Sequence, residues 1–232
     1  MTKGKLIIIE SGSDGSGKAT QTHRLYERLS EEGYKVKKIT YPNYDSPACM
    51  PVKMYLNGDF GKKPEDVNAY VASTFYAIDR FASYKLEWKE FFEDGGIILS
   101  DRYTTSNMVH QAAKMVREER EKYLDWLCEL EFGHYQLPEP DCVIFLDVSP
   151  ETTQTLMLER LNKFTGEQEK DIHESNTAYL AQCYNNSLEI AEKYGWEKIK
   201  CDGEGRLRSI EDIHGEIYLK VKAKLDQEKV QI

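Results

Sequence analysis

The chemistry open to this sequence is framed by Lys18, which ends a glycine-rich run, and by Asp101 and Arg102, which follow a short apolar run. The stretch from Leu6 to Thr20, LIIIESGSDGSGKAT, is a β-favouring apolar segment, then a glycine-rich turn, then a helix start. Gly12, Gly17 and Lys18 satisfy the spacing G-x-x-x-x-G-K. Such a loop turns its backbone N–H groups and the positive end of the next helix onto one anion, with the lysine reaching the outer phosphates. The candidate phosphate cradle is therefore Gly12, Ser13, Asp14, Gly15, Ser16, Gly17, Lys18, Ala19 and Thr20. The pattern calls for Ser or Thr after the lysine, as a hydroxyl ligand for Mg²⁺, and Ala19 stands there, with Thr20 a less well placed substitute. Read without the flanking elements, the run is also a plain glycine-rich turn carrying a lysine.

Asp101 ends the segment IILSD, where a carboxylate can hold Mg²⁺ through water, although the same position suits a helix cap. Arg102 can make a two-pronged contact with a second phosphate, although it also reads as half of a surface ion pair. Asp147 ends CVIFLD in the same way and is the second choice for the metal. Two cations and a carboxylate around one crevice point to phosphoryl transfer in preference to simple binding.

The elements that would place these residues alternate between strands and helices. Strands are expected at Leu6 to Ile9, KVKKIT, Ile97 to Ser100, CVIFLD and WEKIKC. Helices are expected from Lys18 to about Glu32, as one or two pieces between Pro64 and Asp94, from about Ser106 to Ala113 and from Arg117 to Phe132. Further helices should run from Glu151 to about Asn162, on to Tyr194, and from about Ser209. This order predicts a parallel sheet covered on both faces, with ligands at the carboxyl ends of the strands. The segment KFTGEQEKDIHE, 163–174, is polar and suits a flap.

With 232 residues, 40% hydrophobic and 31% charged, the chain fits one globular α/β domain. A net charge of −9 argues against a nucleic-acid backbone as partner. No apolar run approaches a membrane span and the N-terminal run is too short for a signal peptide, so a cytoplasmic protein without a membrane partner is expected. Five scattered cysteines lack metal or disulfide spacing.

The loop GSDGSGKAT, FYAIDR at 75–80, DRYTTSNMVHQ at 101–111, LDVSPE at 146–151 and the late IKCDGEGRLRSIEDIHGEI together resemble the thymidylate kinase family over nearly the whole chain. The loop is shared by many nucleotide-binding families, whereas D-R-Y followed by S-N and Q, with an aromatic shortly before D-R, is far more specific. The resemblance implies a three-layer P-loop kinase fold, a five-stranded parallel sheet with helices on both faces, and one domain over 1–232. It also implies transfer of the γ-phosphoryl of ATP to dTMP with Mg²⁺, in a homodimer.

Carried over by position, the resemblance places Asp14 near the acceptor sugar and phosphate, Tyr76 on the thymine ring and Arg80 at a base carbonyl. Tyr41 and Pro42 line the nucleotide, and Asn107 and Gln111, four apart on one helix face, lie near the base. Four of these also have a plainer reading: Asp14 as a turn former, Tyr76 as a core aromatic, the amides Asn107 and Gln111 as solvated helix residues.

The chain departs from the family at Ala19 and at Gly15, where some members carry a catalytic arginine. Members with glycine there draw a cation from the flap, and here the flap offers only Lys163 and Lys170. Tyr44 stands close to a position where some members place a phosphate-binding arginine. Another nucleoside monophosphate or deoxynucleoside kinase would share most of these features. Ala19 and the arginine-free flap also allow a nucleotide-binding regulatory module. A GTP-operated switch would want N-K-x-D, which the sequence lacks.

Overall fold

In the computed structural model, which describes residues 3–13, 15–153, 155, 177–203 and 206–226, five strands form one sheet in the order β2-β3-β1-β4-β5. These are β1 (Lys5–Ser11), β2 (Val36–Thr40), β3 (Ile97–Asp101), β4 (Cys142–Asp147) and β5 (Glu197–Lys200), and every pairing is parallel. The glycine-rich loop therefore leaves the central strand, between the ends of β3 and β4.

Alternation along β1 divides the core. Ile7 and Ile9 pack with Leu25, Leu29, Ile144 and Ile213 on one face, while Leu6 and Ile8 pack with Ile98, Trp88 and Tyr103 on the other. A strand buried on both faces has to be apolar at consecutive positions, which is why the isoleucine run reads as a central strand. The first face is covered by α1 (Lys18–Glu31) and by the last helix, which runs Ile210–Asp226 and is α8 below. On the other side lie α2 (Met50–Leu56), α3 (Ala69–Ser83), α4 (Lys89–Glu93), α5 (Thr104–His110), α6 (Arg117–Cys128) and α7 (Thr177–Lys193).

The expected strands all form, and α1 ends within a residue of its expected stop. The 65–94 segment divides: α3 gives way to a wide π-type turn at Tyr84–Trp88 before α4. A second such turn, Glu129–His134, follows α6, so the helix expected to reach Phe132 stops at Cys128. The helix expected from Ser106 starts at Thr104 and ends at His110, ahead of a short 3₁₀ turn at Ala112–Lys114. A small antiparallel ribbon, β6 (Asp202–Gly203) with β7 (Arg206–Leu207), was not foreseen. The 163–174 flap, most of the 151–162 helix and Asp14 lie outside the described residues.

Candidate active site

The cradle is shaped by two glycines for two different reasons. Gly17 has φ +86 at the N-cap of α1, with open space where a Cβ would stand, so backbone conformation alone selects glycine there. Gly12 is selected by crowding, because a Cβ would lie 2.4 Å from Ser187 Oγ and 3.0 Å from the Tyr184 Cα of α7. Gly15 is exposed with φ +76, and Ala19 and Thr20 are exposed in the first turn of α1.

Lys18 is 6% exposed and folded back into the loop. Its ammonium donates to Ser11 Oγ at 2.7 Å, to the Ser13 carbonyl at 3.0 Å and to Ser16 Oγ at 3.3 Å. Ser16 in turn donates to Ser11 Oγ at 2.8 Å, and Ser13 Oγ is buried without a hydrogen bond. Two buried hydroxyls and a carbonyl thus hold the Lys18 ammonium, a cation that a phosphate chain would attract.

Across the crevice, Asp101 ends β3 level with Ile9 of β1, and the Arg102 N–H donates to the Ile9 carbonyl at 3.2 Å. Arg102 adopts φ +70, a left-handed conformation costly for a residue with a Cβ and common where a site fixes a side chain. Its guanidinium lies 3.3 Å from Ser106 Oγ, 3.1 Å from His110 Nε2 and 3.8 Å from Glu10 Oε1.

Glu10 is fully buried and did not stand out in the sequence. One carboxylate oxygen accepts the Ser11 N–H at 2.9 Å, and the other accepts the hydroxyls of Thr105 at 2.8 Å and Ser106 at 2.6 Å. A glutamate inside an isoleucine-rich strand was the available signal. Asp147, the second metal candidate, is taken up by Tyr184 OH at 2.9 Å and Lys200 at 3.5 Å.

The acceptor-side candidates gather around α3 and α5. Tyr76 is half-buried and meets Tyr55 edge-on, with ring centres 6.4 Å apart. Behind Tyr55, Lys114 donates to Tyr55 OH at 2.7 Å and to the Val67 carbonyl at 3.0 Å. Burial pushes its ammonium down to about 7, against the upward pull of Glu65. The Tyr41–Pro42 bond is cis. The strand end there is tied to α3 where Asp79 accepts the Asn43 N–H at 2.8 Å, and burial raises the Asp79 carboxyl.

Arg80 is 1% exposed and faces protein. It donates through Nε and Nη2 to the two oxygens of Glu131 at 2.7 and 2.5 Å, through Nη2 to Asn107 Oδ1 at 3.2 Å and through Nη1 to the Tyr103 carbonyl at 3.4 Å. Four of its five N–H groups are so committed, leaving one for a base carbonyl. Asn107 Nδ2 and Gln111 Oε1 are buried with no partner. Unlike most buried polar atoms, they have a hydrogen bond still to make. Asp14, Lys163 and Lys170 fall outside the described residues.

Among the described residues no helix is long and apolar enough to cross a membrane. A family model described as Thymidylate kinase matches residues 9–217. The chain is 28% identical over 211 residues to the thymidylate kinase of Caldicellulosiruptor saccharolyticus, covering 91% of this chain and 92% of that one. To the thymidylate kinase of Schizosaccharomyces pombe it is 27% identical over 215 residues, covering 93% and 90%. A solved thymidylate kinase structure from Candida albicans superposes with a TM-score of 0.66 at 21% identity, covering 97% of this chain and 93% of that chain, a likeness of fold. The phosphate cradle, the strand-end arginine and the match across nearly the whole chain together show that this protein belongs to the thymidylate kinase family.

Proposed function

We propose that the protein transfers the γ-phosphoryl of ATP to dTMP, giving ADP and dTDP, from a single P-loop kinase domain over 1–232 with its flap at 163–174. The observation that carries this reading is the pairing of Lys18, seated in a ready-made cradle, with Arg102, fixed at the neighbouring strand end.

The backbone of Gly12 to Thr20 and the Lys18 ammonium hold the donor phosphates. An incoming phosphate oxygen replaces Ser11, Ser13 and Ser16 as the partner of Lys18. Arg102 orients the acceptor phosphate, which is already ionised near neutral pH, so that positioning and charge stabilisation supply the rate without a general base. Tyr76 stacks on the base, Asn107, Gln111 and the remaining N–H of Arg80 meet its polar edge, and Tyr41 and Pro42 line the nucleotide. Asp14 faces the acceptor, and Lys163 or Lys170 brings the flap's cation.

Among the described residues no group of three or more histidine, cysteine or carboxylate side chains could hold a metal. The single carboxylate of Asp101 at the end of β3 fits a magnesium ion that arrives on the nucleotide, since Mg²⁺ keeps water and phosphate oxygens and needs only one or two carboxylates. Asp101 would be its protein contact. The ion would neutralise charge on the phosphates.

The α3 face carrying Val71 (44% exposed), Ile78 (42%) and Phe81 (37%), with Leu86 (83%) beyond its end, supports a homodimer, and a monomeric mass by light scattering would remove that assignment. Five free cysteines suit a reducing cytoplasm, which cell fractionation checks.

A coupled ADP-release assay tests the reaction. dTMP-dependent, EDTA-sensitive turnover is expected, lost by about a hundredfold or more in a folded Lys18→Ala variant. Full activity in that variant would overturn the scheme. Preference for another acceptor in a panel of dTMP, dUMP, dGMP, UMP and thymidine would reassign the substrate.

A further inference from the structure

Glu131 takes no part in the scheme above, yet it is among the most completely buried charged groups in the molecule, at 0% exposure. It lies in the wide turn Glu129–His134, a kind of helical irregularity that recurs at functional sites. Its carboxylate accepts the two-pronged contact from Arg80, at 2.7 and 2.5 Å, and the Thr104 hydroxyl at 2.7 Å.

This pair dictates the orientation of a third side chain. A guanidinium has donors only, so whichever end of the Asn107 amide faces Arg80 must be the oxygen, and the Nη2 to Oδ1 contact is 3.2 Å. The amide nitrogen is turned the other way, buried and without a partner. One turn later Gln111 presents a buried oxygen without a partner. Asn107 in α5 and Gln111 just past its end therefore offer a donor followed by an acceptor.

We propose that Glu131 is the positioning residue for acceptor-base selectivity: by fixing Arg80 it fixes the polarity of the Asn107 amide, and the site then takes an imide edge and rejects a 4-aminopyrimidine edge. The proposal rests on the reading of Asn107 and Gln111 as base-facing. An imide edge sets a carbonyl oxygen against Asn107 Nδ2 and a ring N–H against Gln111 Oε1. An aminopyrimidine sets N–H against N–H and a lone pair against a lone pair, a mismatch that leaves buried groups unpaired.

The test compares kcat and KM for dTMP, dUMP and dCMP in the wild type and in three variants, with thermal melting as the check on folding. Glu131→Gln leaves Arg80 without its anion, so the guanidinium is no longer held against Asn107 and, once it swings away, the amide is free to turn over. The double variant Arg80→Gln, Glu131→Gln removes both buried charges, and its neutral residue 80 can donate or accept, so it no longer dictates the amide. Thr104→Val removes a single hydrogen bond from Glu131 and is nearly isosteric. The preference for dTMP over dCMP, as a ratio of kcat/KM, should fall about tenfold or more in the first two and about threefold in the third, chiefly through KM. dUMP should follow dTMP.

Loss of thermal stability with the ratio intact is what a merely structural pair would give, and that result in any folded variant overturns the proposal. A wild type inactive on every pyrimidine monophosphate would take down the proposed function, and this inference with it. A wild type active on dTMP with unaltered selectivity in the variants defeats this inference alone.

Discussion

Ser187 and Gly12 meet so closely that a Cβ built on the glycine would lie 2.4 Å from the serine hydroxyl oxygen. Helix α7 is thus pressed against the first residue of the cradle, and the Tyr184 Cα, 3.0 Å from the same point, cannot swing aside. Gly12→Ala should cost about 1–3 kcal/mol of stability through overpacking. ATP affinity should fall with it, because the loop must shift. Adding Ser187→Ala should recover part of both losses, as the backbone contact to Tyr184 remains. Melting temperature and ATP titration check this, and an unchanged melting temperature in Gly12→Ala would contradict the packing.

Glu10 holds three hydrogen bonds and stands 3.8 Å from Arg102 Nη1. In Glu10→Gln the amide oxygen can keep the Ser11 N–H, and the hydroxyls of Thr105 and Ser106 can turn to accept from the amide nitrogen, so the fold should survive. What is lost is the anion that fixes Arg102. KM for the acceptor should rise about tenfold while the melting temperature moves by only a few degrees. Steady-state kinetics at saturating ATP read this directly, and an unchanged acceptor KM would mean that Arg102 needs no such anchor.

Asp202 accepts the Ser149 N–H and the Thr152 hydroxyl, both at 2.8 Å, and pairs with Lys200 at 3.3 Å. Burial works against its charge, but these hydrogen bonds outweigh burial and bring the carboxyl from its ordinary 3.8 down to about 2. With the folded value below the unfolded one, the stability it contributes is complete above about pH 5 and drains as pH falls toward about 2. The melting-temperature gap between wild type and Asp202→Asn should be constant near neutrality and close across that acid window. A gap that persists at pH 2 would show that the carboxylate's charge is not what matters.

The parts of the site that the sequence made legible are those where one local signal suffices. A buried strand, glycines at fixed intervals and a lysine specify β1, the cradle and α1, and an apolar run ending in D-R specifies the tip of β3. Glu10 and Glu131 escaped because their meaning is not local. Glu10 interacts with residues about 95 positions away, and Glu131 is one of two glutamates in an E-L-E segment whose periodicity reads as ordinary amphipathic helix. Only the wide turn after α6 rotates Glu131 inward, and nothing in helix propensity marks such a turn. Arg80 was legible only in part for the same reason: its one-turn spacing from Tyr76 is visible, but the anion that holds it lies 51 residues on. The start of α5 was displaced because Thr104 and Thr105, weak helix formers, are held in the first turn by those two carboxylates.

Thr104 answers to Glu131, and Thr105 and Ser106 answer to Glu10. For the way such a chain drifts over generations, this alternation is an interlock. A residue without a hydroxyl at 104 strands a carboxylate in the turn after α6, and one at 105 or 106 strands another on the central strand. Change at these three neighbours is therefore neutral only when matched on a different, distant element. An alignment of relatives should show 104 varying in step with 131, and 105 and 106 in step with 10, so that three adjacent letters carry two separate histories.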